Sequence, residues 1–198
     1  MFRDRVDEIK AIISNDFVTL TEDPEVIAIN DFLSPLDITY LLDTAKGLTE
    51  SISEESIETY RLSPYCHDFI RVISHNIAQI VNRPIEHLNY INLYNLKEDQ
   101  SLRIRGLSLP KIQESKQATS PNGKVEAIGL IALSDMPFRL CSVPSSANAG
   151  TLTLAKTVDV DPEMCNNSIV DCSTSDKDIW FCTFKFAEHP REINEVIL

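Results

Sequence analysis

The stretch PEVIAINDFLSP, residues Pro24–Pro35, places a strand directly before a helix. Its apolar run Val26–Ile29 follows a proline and predicts a short buried strand. Ser34 followed by Pro35 predicts a helix start, because a serine hydroxyl caps free backbone N–H groups and proline fits the first helical position. Apolar residues then recur at helical spacing until Gly47, which predicts the end of that helix.

Two further helices are predicted around this unit. Phe2–Ser14 carries one apolar stripe at helical spacing, and it packs either on its own domain or on a partner. A third helix is predicted from about Pro64 to Val81, and Pro84 closes it. The acidic stretch 49–60 is interpreted as a loop, with a docking strip for a basic partner as the alternative for 49–58.

The pattern changes to strands after the third helix. Strands are predicted at 88–94, 102–109, 125–133, 140–143, 150–158, 168–172 and 179–186. Helices first and many short strands afterwards predict an α+β domain, with helices packed against a β-sandwich or barrel.

The composition of the chain limits which classes of partner and which cellular compartment are expected. Asp and Glu exceed Lys and Arg by 30 to 18, a net charge of −12 that disfavours nucleic acid. No apolar run approaches the roughly 18 residues of a membrane span, and the first residues lack the pattern of a signal peptide, so no membrane partner is expected. Five cysteines without a C-x-x-C pair predict reduced thiols in the cytoplasm.

Motifs for catalysis are scarce. The chain has no G-x-S-x-G, no P-loop and no G-x-G-x-x-G. His67 follows Cys66, but neighbouring helical residues diverge in direction, so thiol activation is not expected. His67 and His75 lie two helical turns apart, too far for one metal ion, and are interpreted as surface or capping residues.

The order of these pieces resembles the prolyl 4-hydroxylase-type oxygenases, which are Fe(II)- and 2-oxoglutarate-dependent enzymes. Three matching stretches come first: the strand and FLS turn at 24–34, the R-x-S at 61–63 and the strand at 90–94 that ends in tyrosine. Two more follow: the strand at 122–135 is similar to the family's strand that ends in YLND, and residues 149–154 lie where the family has GGETxF. The resemblance spans 24–186. It implies an α+β double-stranded β-helix (jelly-roll, cupin-like) with N-terminal helices packed on one face, as domain 21–198 after a helical appendage 1–20.

The departures from this family concern the iron ligands. The resemblance implies an H-x-D motif, which falls on Arg103-Ile104-Arg105 or, after a two-residue insertion, on Arg105-Gly106-Leu107. No distal histidine precedes Ile179, and Lys177 is two residues out of register for the family's 2-oxoglutarate-binding cation. Arginine stays protonated and cannot ligate a metal ion. Arg103 and Arg105 are therefore either exposed and paired with surface acids, or part of a vestigial or anion-binding site.

Three hypotheses follow for function. The first is a catalytically inactive oxygenase-like domain without cofactors, acting as a protein-binding or structural component with a protein partner or as a homo-oligomer. The second is an active, divergent hydroxylase of a protein substrate that uses Fe(II) and 2-oxoglutarate, with His87 and His189 as the remaining candidate ligands. The third is an unrelated α+β interaction protein. Trp180 is interpreted as a core residue rather than a stacking platform.

Overall fold

A computed structural model describes residues 2–13, 17–48, 52–54, 57–105, 119–120, 123–141, 143–157, 168–174 and 177–190. Its helices are α1 (Val6–Ile12), α2 (Pro35–Leu48) and α3 (Asp68–Val81), with short 3-10 turns at Arg3–Arg5 and Ile85–His87. In this described part, no helix combines the length and the apolar character needed to cross a bilayer.

Thirteen strands are present in the described part of the chain. They are β1 (Phe17–Glu22), β2 (Glu25–Ile29), β3 (Ile52–Glu54), β4 (Ile57–Leu62), β5 (Ile91–Leu96), β6 (Ser101–Arg105), β7 (Thr119–Ser120), β8 (Gly123–Ala132), β9 (Met136–Leu140), β10 (Val143–Ala147), β11 (Leu152–Lys156), β12 (Ser168–Ser173) and β13 (Ile179–Ala187).

The strands form two antiparallel sheets. The large sheet has the order β1-β2-β11-β8-β13-β5-β4-β3, with β7 paired to β8, and the small sheet has the order β10-β9-β12-β6. From β5 onward the chain passes repeatedly between the two sheets, because β5, β8, β11 and β13 lie in the large sheet and β6, β9, β10 and β12 in the small one. This is the predicted double-stranded β-helix, a jelly-roll arrangement of eight strands.

Side chains cap the first turns of the second and third helices, and a residue in the left-handed conformation ends the third. Ser34 and Asp37 cap α2 reciprocally: Asp37 N donates to Ser34 Oγ at 3.2 Å, and Ser34 N donates to Asp37 Oδ2 at 2.9 Å. His67 caps α3, with Phe69 N donating to its Nδ1 at 3.2 Å. Asn82 ends α3 in the left-handed conformation, at φ 60°.

The helices cover the outer face of the large sheet, as predicted. Leu41 of α2 and Ile77 of α3 belong to one buried cluster with Leu93, Leu154 and Phe184, which project from that face. We call this cluster the helix–sheet core. It fixes the positions of α2 and α3 relative to β4, β5 and β13.

The N-terminal segment packs on the same domain rather than standing free. Phe2 and Ile9 are fully buried within the helix–sheet core. Arg5 Nη1 donates to the carbonyl oxygen of Ile80 at 3.0 Å, at the C-terminal end of α3 where helix carbonyls lack internal partners. Of the two alternatives for Phe2–Ser14, the structure therefore supports packing on its own domain.

Several predicted boundaries are wrong. The stretch interpreted as a loop at 49–60 contains β3 and most of β4, because Ile57 and Tyr60 are buried on opposite faces of β4. The stretch predicted as one strand at 140–143 is divided between two strands, since Leu140 ends β9 and its cross-strand partner Val143 begins β10, and Cys141 has φ 49°. The third helix begins at Asp68, since His67 is its cap.

Candidate functional site

The space between the two sheets is lined by apolar side chains. Its buried cluster, the inter-sheet core, combines the inner faces of both sheets. The ring of Tyr94 stacks on that of Phe181 at a centroid distance of 5.3 Å. The other members include Leu96, Ile128, Leu130, Met136, Phe138, Leu140, Cys172 and Ile179. Such a lining offers few groups that could ligate a cation.

The donor set for an iron ion does not fit this interior. A facial triad needs two imidazoles and a carboxylate. His67 is held as the α3 cap, His75 is exposed on α3, and His189 is exposed beyond β13. His87 Nδ1 lies 2.9 Å from the carbonyl oxygen of Ala187. Among the described residues, which include all four histidines, no three His, Cys, Asp or Glu side chains form a metal-binding group.

Backbone register places the two predicted arginines at the edge of the small sheet. Arg103 and Arg139 lie opposite the same residue of β12, and the side chain of Arg139 is exposed. The neighbouring row holds Cys172 and Phe138, both buried in the inter-sheet core. The side chains of Arg103 and Arg105 lie outside the described part of the chain, so their vestigial or anion-binding role stays a prediction.

The beginning of β13 also lacks a cation on its inner face. Lys177 precedes the strand and is exposed. Ile179, the first residue of β13, is 1% exposed and belongs to the inter-sheet core. Lys177, which the sequence places about two residues out of register for the family's 2-oxoglutarate-binding cation, is thus exposed, and the residue two positions further on is a buried aliphatic side chain.

Polar side chains appear on the inner face toward the end of β13. Thr183 and Lys185 share that face with Phe181, since Phe184 and Phe186 point into the helix–sheet core. Thr153 of β11 lies in the same cross-strand row as Thr183, and its buried Oγ1 has no hydrogen-bond partner among the described residues. Burial lowers the pKa of the Lys185 ammonium. Sequence reasoning missed Lys185, because it stands between the apolar residues Phe184 and Phe186.

The environments of Cys66 and Cys182 disfavour nucleophilic chemistry. Burial raises the pKa of the Cys66 thiol, and it raises the pKa of Cys182 further. His67 Nδ1 is engaged as the helix cap. The sequence-based expectation that Cys66 is not activated therefore agrees with the environment of its thiol.

A polar and aromatic cluster lies on the opposite face of the large sheet, beside the end of α2. Its members are Lys46, Glu58, Tyr60, Asn95 and Trp180, which we call the outer-face cluster. Tyr60 and Trp180 stack at a centroid distance of 6.3 Å, and Lys46 Nζ lies 4.9 Å from the centroid of the Trp180 ring. Trp180 is half-buried, whereas the sequence placed it simply in the core.

Hydrogen bonds order the polar part of the outer-face cluster. Tyr60 Oη donates to Glu58 Oε1 at 2.6 Å, and Asn95 Nδ2 donates to Glu58 Oε2 at 2.6 Å. These bonds hold the pKa of Glu58 below its ordinary value and raise the pKa of Tyr60 to about 12. The sequence does not reveal this set, because register across three strands brings Glu58, Asn95 and Trp180 together.

The fold recurs in solved oxygenases. The collagen prolyl hydroxylase of Paramecium Bursaria Chlorella virus-1, solved with 2-oxoglutarate, matches with a TM-score of 0.58 at 14% identity, over 82% of this chain and 95% of that chain. A Pseudomonas putida prolyl-4-hydroxylase matches at 0.52 and 9% identity, over 96% and 100%. HygX from Streptomyces hygroscopicus, with nickel and 2-oxoglutarate bound, matches at 0.51 and 12% identity, over 82% of each chain.

These likenesses define the class of fold. The chain has the double-stranded β-helix of the 2-oxoglutarate oxygenases, and the resemblance to prolyl 4-hydroxylase-type enzymes is confirmed for the fold. The hypothesis of an unrelated α+β fold is wrong. No family model and no curated protein matches the sequence.

Proposed function

We propose that this chain is an oxygenase-like domain without iron chemistry, which acts as a protein-binding or structural component of an assembly. The observation that carries this proposal is the placement of the histidines: one caps a helix, one binds a backbone carbonyl and two are exposed on the outside. Two imidazoles and a carboxylate cannot meet in the inter-sheet core without rearranging the sheet. The buried Ile179 at the start of β13 supports the same conclusion.

The test is anaerobic calorimetry of the purified full chain with Fe(II), with 2-oxoglutarate and with both. We expect no stoichiometric iron binding and no turnover of 2-oxoglutarate. Stoichiometric iron or iron-dependent turnover would overturn the proposal and favour the divergent hydroxylase. The doubly substituted variant His87→Ala/His189→Ala is the matched control, because loss of iron binding in that variant would identify these two histidines as ligands.

Binding of 2-oxoglutarate without iron would locate an anion site. The predicted residues are Arg103 and Arg105, and Lys185 on the inner face of β13 is the rival. Variants Arg103→Gln, Arg105→Gln and Lys185→Gln separate the two, since removing the responsible cation weakens binding and removing the other does not.

The surface that fits a protein partner lies on α2 and α3. Leu36, Tyr40 and Val72 are 82%, 50% and 56% exposed. The ring of Tyr40 contacts that of Phe69 edge-on at 4.9 Å, which joins the two helices into one helical apolar patch of these four residues. Exposed apolar clusters of this kind mark interaction sites.

Charge favours one occupant for the helical apolar patch. Asp37, Asp43 and Asp68 lie near these residues in the sequences of α2 and α3, Arg71 pairs with Asp68, and the whole chain carries −12. A partner segment with apolar side chains at helical spacing and flanking lysines or arginines complements both features. We expect a lysine-flanked amphipathic peptide to bind, a glutamate-flanked one not to bind, and Val72→Glu to abolish binding. Concentration-dependent self-association that Val72→Glu removes would assign the patch to a second copy instead.

A cytoplasmic location accompanies this proposal. Cys66, Cys141, Cys172 and Cys182 are free thiols, which suits a reducing compartment.

A further inference from the structure

The outer-face cluster presents an electron-rich surface at one point of the large sheet. The face of Trp180 is half-buried between Tyr60, which stacks against it, and Lys46, whose ammonium lies above it. Aromatic faces attract cations, and indole does so most strongly. Glu58 adds a carboxylate in the same cross-strand row, since it lies opposite Asn95, which lies opposite Trp180.

A second observation points to a ligand with N–H groups. Asn95 is 1% exposed, and its Oδ1 has no hydrogen-bond partner among the described residues. The orientation of this amide is fixed, because its Nδ2 donates to Glu58 Oε2 and an exchanged oxygen would face the carboxylate. A buried amide oxygen without a donor is uncommon in folded proteins and calls for a partner.

We propose that Glu58, Tyr60, Asn95 and Trp180 form a binding site for a primary alkylammonium group, such as the side chain of a lysine on a partner chain, and that Lys46 covers its aromatic face in the free protein. The aromatic rings attract the charge, and Asn95 Oδ1 and Glu58 accept N–H bonds. A quaternary ammonium has no N–H to donate, so the site favours a primary ammonium. Lys46 projects from the last turn of α2, where it can leave without disturbing the helix–sheet core.

This site is independent of the barrel interior, because it lies on the opposite face of β13. Iron binding between the sheets would overturn the proposed function and leave the ammonium site standing. Loss of the ammonium site would likewise leave the proposed function intact.

Trp180 makes the test direct, since it is the only tryptophan in the chain. Its fluorescence is followed while n-butylammonium is added to the wild-type chain and to Lys46→Ala, with sodium chloride at matched ionic strength as reference. We expect saturable binding in both, about three- to sixfold weaker in the wild type. This factor follows from a competing Lys46 contact that is itself favoured about two- to fivefold at an exposed site. Lys10→Ala, an exposed lysine on α1, is the matched control and should behave as wild type.

Two further probes sharpen the result. Tetramethylammonium should bind Lys46→Ala more weakly than n-butylammonium, and Glu58→Gln in the Lys46→Ala background should weaken n-butylammonium at least about threefold. A blocked Gly-Lys-Gly peptide that binds more tightly than n-butylammonium assigns the ligand to a protein lysine, and weaker binding assigns it to a small amine. Equal responses of wild type and Lys46→Ala, or no saturable change of Trp180 fluorescence in Lys46→Ala, would overturn the proposal.

Discussion

The ring of Phe184 fills the space that a Cβ atom on Gly129 would occupy. The two residues are cross-strand partners in β13 and β8, and a Cβ on Gly129 would overlap three ring carbons of Phe184. This close approach lets the fully buried ring of Phe184 lie flat on the large sheet beneath the helices. The glycine is therefore part of the packing of the helix–sheet core.

Gly129→Ala should destabilise the fold by about 1–3 kcal/mol, the usual cost of overpacking a core. Urea unfolding of wild type and variant measures this difference. The control is Gly47→Ala on α2, where a Cβ meets nothing within 4 Å, so the change should be neutral or stabilising through helix propensity. Phe184→Leu should cost less in the Gly129→Ala background than alone, and additive effects would contradict the packing argument.

Gly150 is the second position at which the structure requires a glycine. It connects three parts of the fold. It has φ 91°, its N donates to the carbonyl oxygen of Ala132 at 2.7 Å, and its carbonyl accepts from Leu33 N at 3.1 Å. A Cβ would collide with the carbonyl oxygen of Leu33. Gly150→Ala should therefore cost about 2–6 kcal/mol, combining backbone strain and overpacking of about 1–3 kcal/mol each.

Thermal unfolding checks the Gly150 prediction. A loss of about 3 kcal/mol lowers the Tm of a chain this long by roughly 6–12 °C. Ala149→Ser, at the exposed neighbouring position, should leave the Tm within about 2 °C because surface changes rarely exceed 0.5 kcal/mol. Equal Tm values for wild type and Gly150→Ala would contradict the prediction, because the surrounding chain would then accommodate the added Cβ atom without loss of stability.

The sequence predicted strands best where the residues follow one clear hydrophobic pattern. The apolar run at 125–133 predicted a strand, and β8 lies there in the middle of the large sheet with residues buried on both faces. It failed at 49–60, where the strand-forming residues Ile52, Ile57 and Tyr60 are separated by acids and serines. Pairing with β5 holds β4 in its extended conformation. A local sequence pattern does not show which strands will pair.

Prediction of the candidate sites is limited in the same way, because local sequence does not show which strands will pair. The absence of an H-x-D motif around Arg103 is evident from the sequence alone. The outer-face cluster depends on Glu58, Asn95 and Trp180 meeting across three strands, from positions up to 122 residues apart. No spacing rule links such residues, so only the register reveals them.

Tyr60 should give the fold a pH dependence above pH 10. Its hydrogen bond to Glu58 raises the pKa of Tyr60 from about 10 in the unfolded chain to about 12. The unfolded state therefore loses its proton first, so the stabilisation is complete below pH 10 and is lost as the pH rises toward 12. Urea unfolding from pH 8 to 11 should show the wild type more stable than Tyr60→Phe at pH 8, with the difference shrinking above pH 10.

Absorbance at about 295 nm gives an independent check of the tyrosine prediction. One of the five tyrosines should titrate near pH 12 in the folded wild type, and that step should be missing in Tyr60→Phe. Tyr40→Phe, at an exposed position, is the control for removing a phenol elsewhere. A constant stability difference across the pH range would contradict the assigned hydrogen bond.

The N-terminal segment offers a test of domain organisation. The sequence-based division makes residues 1–20 an appendage, yet Phe2 is fully buried in the helix–sheet core and Arg5 binds the last carbonyls of α3. Phe2→Ala should then cost about 3–5 kcal/mol, as for other buried phenylalanines, within one cooperative unfolding transition. Lys10→Ala, exposed on α1 in the same N-terminal segment, should change stability by less than about 0.5 kcal/mol. If the segment were an independent appendage, Phe2→Ala would leave the main transition unchanged, because the core of domain 21–198 would not depend on its ring.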